Sequence, residues 1–128
     1  MLHLLSINVG AQSNQQIEIF DIDQGKVIKQ VDLHPDIQRE AEKILKGITG
    51  VYTNYNPIPN KGIMIRIPLE PNVMVRNLWF DDLVDEVTLI FPRQEVPYLL
   101  VFDDENKSYF LIFKANTDNL FELLNIKR

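Results

Sequence analysis

The chain has 128 residues and a formal net charge of −5, from 18 Asp and Glu against 13 Lys and Arg. Hydrophobic residues make up 45%, enough to build a packed core, and the absence of cysteine excludes disulfides, thiolate nucleophiles and Cys-ligated zinc or iron–sulfur centres. The acidic balance and scattered Lys and Arg disfavour a polyanionic partner, so nucleic acid is not an expected ligand.

The length matches the commonest domain size, so one domain over 1–128 is expected. The opening run Met1–Leu5 lacks a basic preface and is too short for a secretion signal. No stretch approaches the ~20 apolar residues a membrane helix needs. Together with the missing cysteines, this makes a cytoplasmic protein the expectation.

In chain order, residues 2–9 mix apolar with polar positions as a strand does, and Gly10 to Gln16 is a polar loop. Ile17 to Ile22 and Lys26 to Leu33 flank Asp23-Gln24-Gly25, a hairpin signature. Pro35 suits a first helical position beside His34. Ile37, Ala41, Ile44, Leu45 and Ile48 then form one stripe on a 3.6-residue period. The expected helix runs over 35–48, ended by Gly47 and Gly50, and its stripe must lie on an apolar layer.

Tyr52 to Gly62 is irregular, with two prolines. Ile63, Ile65, Ile67 and Leu69 alternate with other residues in a strand expected to end near Pro68 or to sit at an edge. A further short strand is expected over 73–76. Val84 to Phe91 is a strand, and Tyr98 to Phe102 and Ser108 to Phe113 flank the turn Asp103–Lys107. Both arms of this last hairpin are apolar at nearly every residue, as central strands are. Thr117 is placed to cap a short helix bearing Leu120, Phe121 and Leu124. The class is therefore α+β: a mostly antiparallel sheet of about six to eight strands, one packed amphipathic helix and a short C-terminal helix.

No phosphate-cradling Gly-rich loop, dinucleotide fingerprint or nucleophile elbow occurs, so no cofactor is expected. Asp21-Ile22-Asp23-Gln24-Gly25 has the start of a calcium loop but not its later ligands, and β-type runs flank it, so it reads as a solvated turn. Two serines and two histidines offer no nucleophilic arrangement by spacing. The leading expectation is a non-enzymatic binding or regulatory domain with a protein partner, or a second copy in a homodimer. Its candidate contacts are Tyr52, Tyr55, Pro57 and Pro59 in the irregular stretch, and Trp79. Tyrosine offers apolar area with a polar tip, and proline lowers the entropy of holding a loop extended. The alternative is a divalent-metal enzyme acting on a phosphate-bearing small molecule. Its metal would be held by Asp81, Asp82 and Asp85, with Asp21 or Asp23 completing the set.

Overall fold

A computed structural model describes residues 15–54 and 57–128. The strand expected over 2–9 and the candidate Tyr55 lie outside the described residues. The elements are β1 (Gln16–Asp21), β2 (Lys26–Asp32), α1 (Pro35–Lys46), β3 (Ile48–Val51), β4 (Gly62–Arg76), β5 (Asp81–Pro92), β6 (Tyr98–Phe102), β7 (Ser108–Phe113) and α2 (Asp118–Leu124). Among the described residues seven strands form one antiparallel sheet in the order β2-β1-β4-β5-β6-β7-β3. This is the α+β architecture expected from the alternating and helical periodicities.

The helix begins as its residues require. His34 is extended (φ −127°, ψ 145°), its Nδ1 accepts the Asp36 N–H at 3.1 Å, and Pro35 occupies the first turn, where an N–H has no intrahelical partner. Because β2 and β3 hold opposite edges of the sheet, α1 must cross its breadth. It lays Ile37, Ala41, Ile44 and Leu45 onto a core made by Ile17, Ile19, Ile65, Ile67, Val87, Leu89, Leu99 and Leu111. Leu120, Phe121 and Leu124 of α2 complete that layer. Burying one such aliphatic side chain contributes about 1.5–3 kcal/mol.

Three boundaries differ from the expectation. The helix stops at Lys46, and Ile48 belongs to a four-residue strand instead. Gly47 sits where a Cβ would come within 2.4 Å of the Lys114 carbonyl oxygen, so the chain passes closely there and turns into β3. Pro68 neither ends its strand nor lies in an edge strand; β4 continues to Arg76 and is the third of seven. Among the described residues β1 pairs β4 only from Ile63 to Arg66, so Pro68 lies beyond that paired stretch and next to the break in the β4–β5 register, where a missing N–H is tolerated. Thr117 makes no side-chain cap to α2; Asn116 Oδ1 accepts the Asp118 N–H at 2.8 Å in its place.

The ladder between β4 and β5 is the long axis of the site. It runs from Gly62↔Pro92 to Arg76↔Asp81, interrupted between Pro68 and Val73, where β4 carries extra residues. Gln38, the one buried polar residue among those described, holds this kink. Its amide donates to the Pro71 carbonyl at 2.9 Å and to Glu42 at 3.1 Å, and its carbonyl accepts the Glu70 N–H at 3.0 Å. Beyond the kink, Val73 to Val84 forms a two-stranded arm closed by the turn at Asn77–Phe80. Among the described residues no helix is long and apolar enough to cross a membrane.

Candidate functional site

The two ends of the β4–β5 ladder hold the residues singled out from the sequence, and they differ in character. At the Gly62 end, Tyr52, just after β3, and Pro57 both meet Tyr98 of β6. Tyr52 lies flat on Tyr98, ring centroids 3.6 Å apart at 8°. The Tyr98 hydroxyl donates to the Pro57 carbonyl oxygen. Burial first, and its contact with the Tyr52 hydroxyl second, push the Tyr98 hydroxyl well above the ordinary phenol range. Tyr98 stays neutral and serves as a structural donor.

Tyr52 is thus committed to its own sheet, but together with Pro57 and Pro59 it lines a cavity of about 740 Å³. Lys61 and Arg93 stand on the rim of the same cavity. Arg93 pairs with Asp23 at 2.5 Å, and Asp23 also accepts the Gly62 N–H at 2.9 Å. That backbone hydrogen bond is the chief reason the Asp23 carboxyl sits below its usual range. Lys61 adds a weaker Coulombic pull on the same Asp23 carboxylate, behind that of Arg93. Arg128 reaches the neighbouring turn, donating to the Pro92 carbonyl at 3.0 Å.

At the Arg76 end, the arm buries Val75, Phe80 and Val84 on the core side, where Phe80 meets Tyr109 edge to face at 5.0 Å. The cross-strand pair Met74↔Leu83 points the other way and is about half exposed. Asn77 shapes the tip: its Oδ1 accepts the N–H groups of Trp79 at 2.8 Å and Phe80 at 2.9 Å. This local cap holds Leu78 outward at 92% exposure, with Trp79 beside it at 36%.

The acidic cluster lies on a strand and not in a turn or helix, and its members diverge. Asp81 faces Arg76 at 3.7 Å, and Asp82 accepts the Asp104 N–H at 3.1 Å and its neighbour Leu83's at 2.7 Å. Asp85 is exposed. Asp21 is at the opposite end of the ladder, bonded to Gln24 at 3.0 Å. Among the described residues no group of three His, Asp or Glu side chains is placed to hold a metal ion. Asp103 accepts the N–H groups of Glu105 and Lys107, both at 2.9 Å, and the Tyr109 hydroxyl at 3.1 Å, which fixes the β6–β7 turn beside Asp82.

Tyr52, Pro57 and Pro59 are brought together, and Trp79 is held apart from them. Leu78, Met74 and Leu83 were not singled out from the sequence. Asn77 before Leu78-Trp79 is the signal for them, since a turn-forming residue there puts the next apolar residue in solvent. The cavity cations Lys61 and Arg93 carry no comparable signal, because they meet only when β4 pairs with β5. Comparison with known protein families, with curated proteins and with solved structures finds no match.

Proposed function

We propose that this chain is a non-enzymatic domain that binds another protein or a second copy of itself through the exposed end of the β4–β5 arm. The observation that carries this reading is the concentration of apolar surface there. Met74, Leu78, Trp79 and Leu83 all belong to the arm, and each is more than a third exposed. At on the order of 200 Å² per large side chain, their exposed fractions amount to roughly 500 Å². A patch of that size is at the top of what monomers ordinarily leave in water, and patches of this kind mark interaction sites. A standard interface buries about 800 Å² per partner with a little over half of it apolar, which roughly 500 Å² supplies. Tryptophan at the centre of such a patch is the residue type that most often carries the binding energy.

A photocrosslinking amino acid at position 78 tests the reading in cells that make the protein. A discrete covalent adduct from position 78, absent when the same group stands at Glu122 of α2, is expected. Equal labelling from both positions, or none from 78, removes it.

A further inference from the structure

We infer that residues Ser6 to Val9 of this chain add to the open edge of the β4 arm as a further antiparallel strand, opposite Val73 to Arg76. These four residues lie outside the described ones, so the inference rests on where the described chain begins and on what it leaves open. It does not depend on the partner proposed for Leu78 and Trp79. Beyond the kink, Val73 to Arg76 pair with β5 on one side only, and the pairing of β1 with β4 ends at Arg66. Alternate residues of an antiparallel strand turn their N–H and C=O to opposite sides. The free side of Val73–Arg76 therefore carries backbone groups that meet no partner strand among the described residues. An uncovered edge of this kind is a template for an extended segment, and a third strand steadies a two-stranded ribbon.

Alongside that edge lies a cavity of about 330 Å³. Val73 to Asn77 line it in succession, from both faces of the strand, so it follows the edge and not one face. Leu45 and Lys46 of α1 and Ile48 of β3 form its other wall. Val75 is buried and Val73 packs on the core, while Met74 and Arg76 alternate with them toward solvent. An occupant of that edge needs apolar side chains at every second position and polar ones between. Ser6-Ile7-Asn8-Val9 has that alternation. The direction fits as well. β1 runs antiparallel to β4, and its register carried upstream sets Gln16 beside Pro68. The Gln15 carbonyl accepts the Leu33 N–H at 3.0 Å, and Gln15 shares a cavity wall with Glu70 and Pro71. The described chain thus begins at the kink, and followed upstream it heads toward Arg76. Gly10 to Asn14, small and polar, then passes Leu69 to Asn72, and Val9 arrives opposite Val73. The six residues from Gln15 to Val9 reach up to about 20 Å, more than the roughly 13 Å that Leu69 to Val73 could span at most. In this register Val9 with Val73 and Ile7 with Val75 face the core, and Asn8 with Met74 and Ser6 with Arg76 face water. A slip of one residue would turn Ile7 and Val9 into solvent.

The chain has no cysteine, so an introduced pair reports the contact without interference. Asn8→Cys with Met74→Cys sets two thiols directly opposite each other, where Cα atoms about 4.5–5.5 Å apart suit a disulfide. Asn8→Cys with Glu122→Cys on α2 is the control. After treatment of the full chain with an added oxidant, the first pair is expected to run as a monomer without free thiols, and the control to keep both. Melting curves give a second readout that alternates along the segment. Ile7→Asp would turn a carboxylate toward the core and should lower the melting temperature by about 5 °C or more, whereas Ser6→Asp faces water and should stay within about 2 °C of wild type. Free thiols remaining in the 8/74 chain, or equal oxidation of the control, overturns the inference. So does a disulfide that joins two chains, which would give the edge to a second copy, or an Ile7→Asp variant that melts with Ser6→Asp.

Discussion

Replacing Gln38 with leucine should cost about 2 kcal/mol and loosen the arm that presents Trp79. The magnitude follows from three hydrogen bonds. Two of them close the kink of β4, from the Gln38 amide to the Pro71 carbonyl at 2.9 Å and from the Glu70 N–H to the Gln38 carbonyl at 3.0 Å; the third ties Gln38 to Glu42 at 3.1 Å. Each neutral bond contributes about 1 kcal/mol net, and a backbone group left without a partner in a dry site costs more. Glu70 and Pro71 are exposed residues, so water recovers part of the loss and the total stays near the lower figure. Leucine keeps the volume and the apolar contacts of a position that is 6% exposed, so the deficit reports the polar bonds. Thermal unfolding followed by circular dichroism reads the change as a fall in melting temperature of roughly 6–8 °C for a domain of this length. Glutamate at the same site should be worse at neutral pH, since a carboxylate cannot donate to the Pro71 carbonyl and faces Glu42. A Gln38→Leu melting temperature within about 1 °C of wild type would show that the kink does not depend on this side chain, and the reasoning from hydrogen bonds to arm position would fail.

Gly62 has φ +128°, and a Cβ there would stand 2.2 Å from the Phe91 carbonyl oxygen. Gly62→Ala should therefore lose at least about 2 kcal/mol in a urea titration, and an unchanged midpoint would contradict the close approach of β4 to β5. Asp103 is held below its ordinary 3.8, first by the Lys107 N–H, with the Glu105 N–H and Tyr109 hydroxyl adding. A carboxyl with a depressed folded pKa stabilises the fold above the unfolded value and ceases to do so as pH falls through the folded one. Asp103→Asn should thus lower the melting temperature at about pH 7, and the gap to wild type should close toward about pH 2; a gap independent of pH refutes the assignment. Tyr98→Phe removes the donor to Pro57 and should cost about 1 kcal/mol, seen as a small drop in melting temperature; no change would detach the loop from the Tyr98 hydroxyl.

The sequence was most legible where one period ran long enough to be unmistakable. The stripe Ile37-Ala41-Ile44-Leu45 and the alternation Ile63-Ile65-Ile67 each have a single structural solution, a helix and a strand, and the structure has both. β3 was not legible because four residues do not establish a period, and its partner β7 lies some sixty residues on. Ile48 fell on the helical spacing by coincidence, and only the close pass of Gly47 against Lys114 separates helix from strand. Pro68 misled for a related reason: its missing donor matters only if a neighbour needs it, and where β1 stops is a fact of pairing, not of local composition. The candidate site divides in the same way. The local turn chemistry of Asn77 and the indole of Trp79 are written in adjacent residues. The commitment of Tyr52 to Tyr98, and the meeting of Lys61 with Arg93, arise from contacts between distant segments.

The claim beneath the functional reading is that the tip residues are displayed for contact and contribute nothing to folding. The melting temperature of Leu78→Ser tests it most directly. A side chain 92% exposed changes stability by no more than about 0.5 kcal/mol when truncated, so the variant should melt within about 2 °C of wild type. A fall of roughly 8 °C or more, the size expected when a buried apolar side chain is truncated, would place these residues in the core and contradict the account.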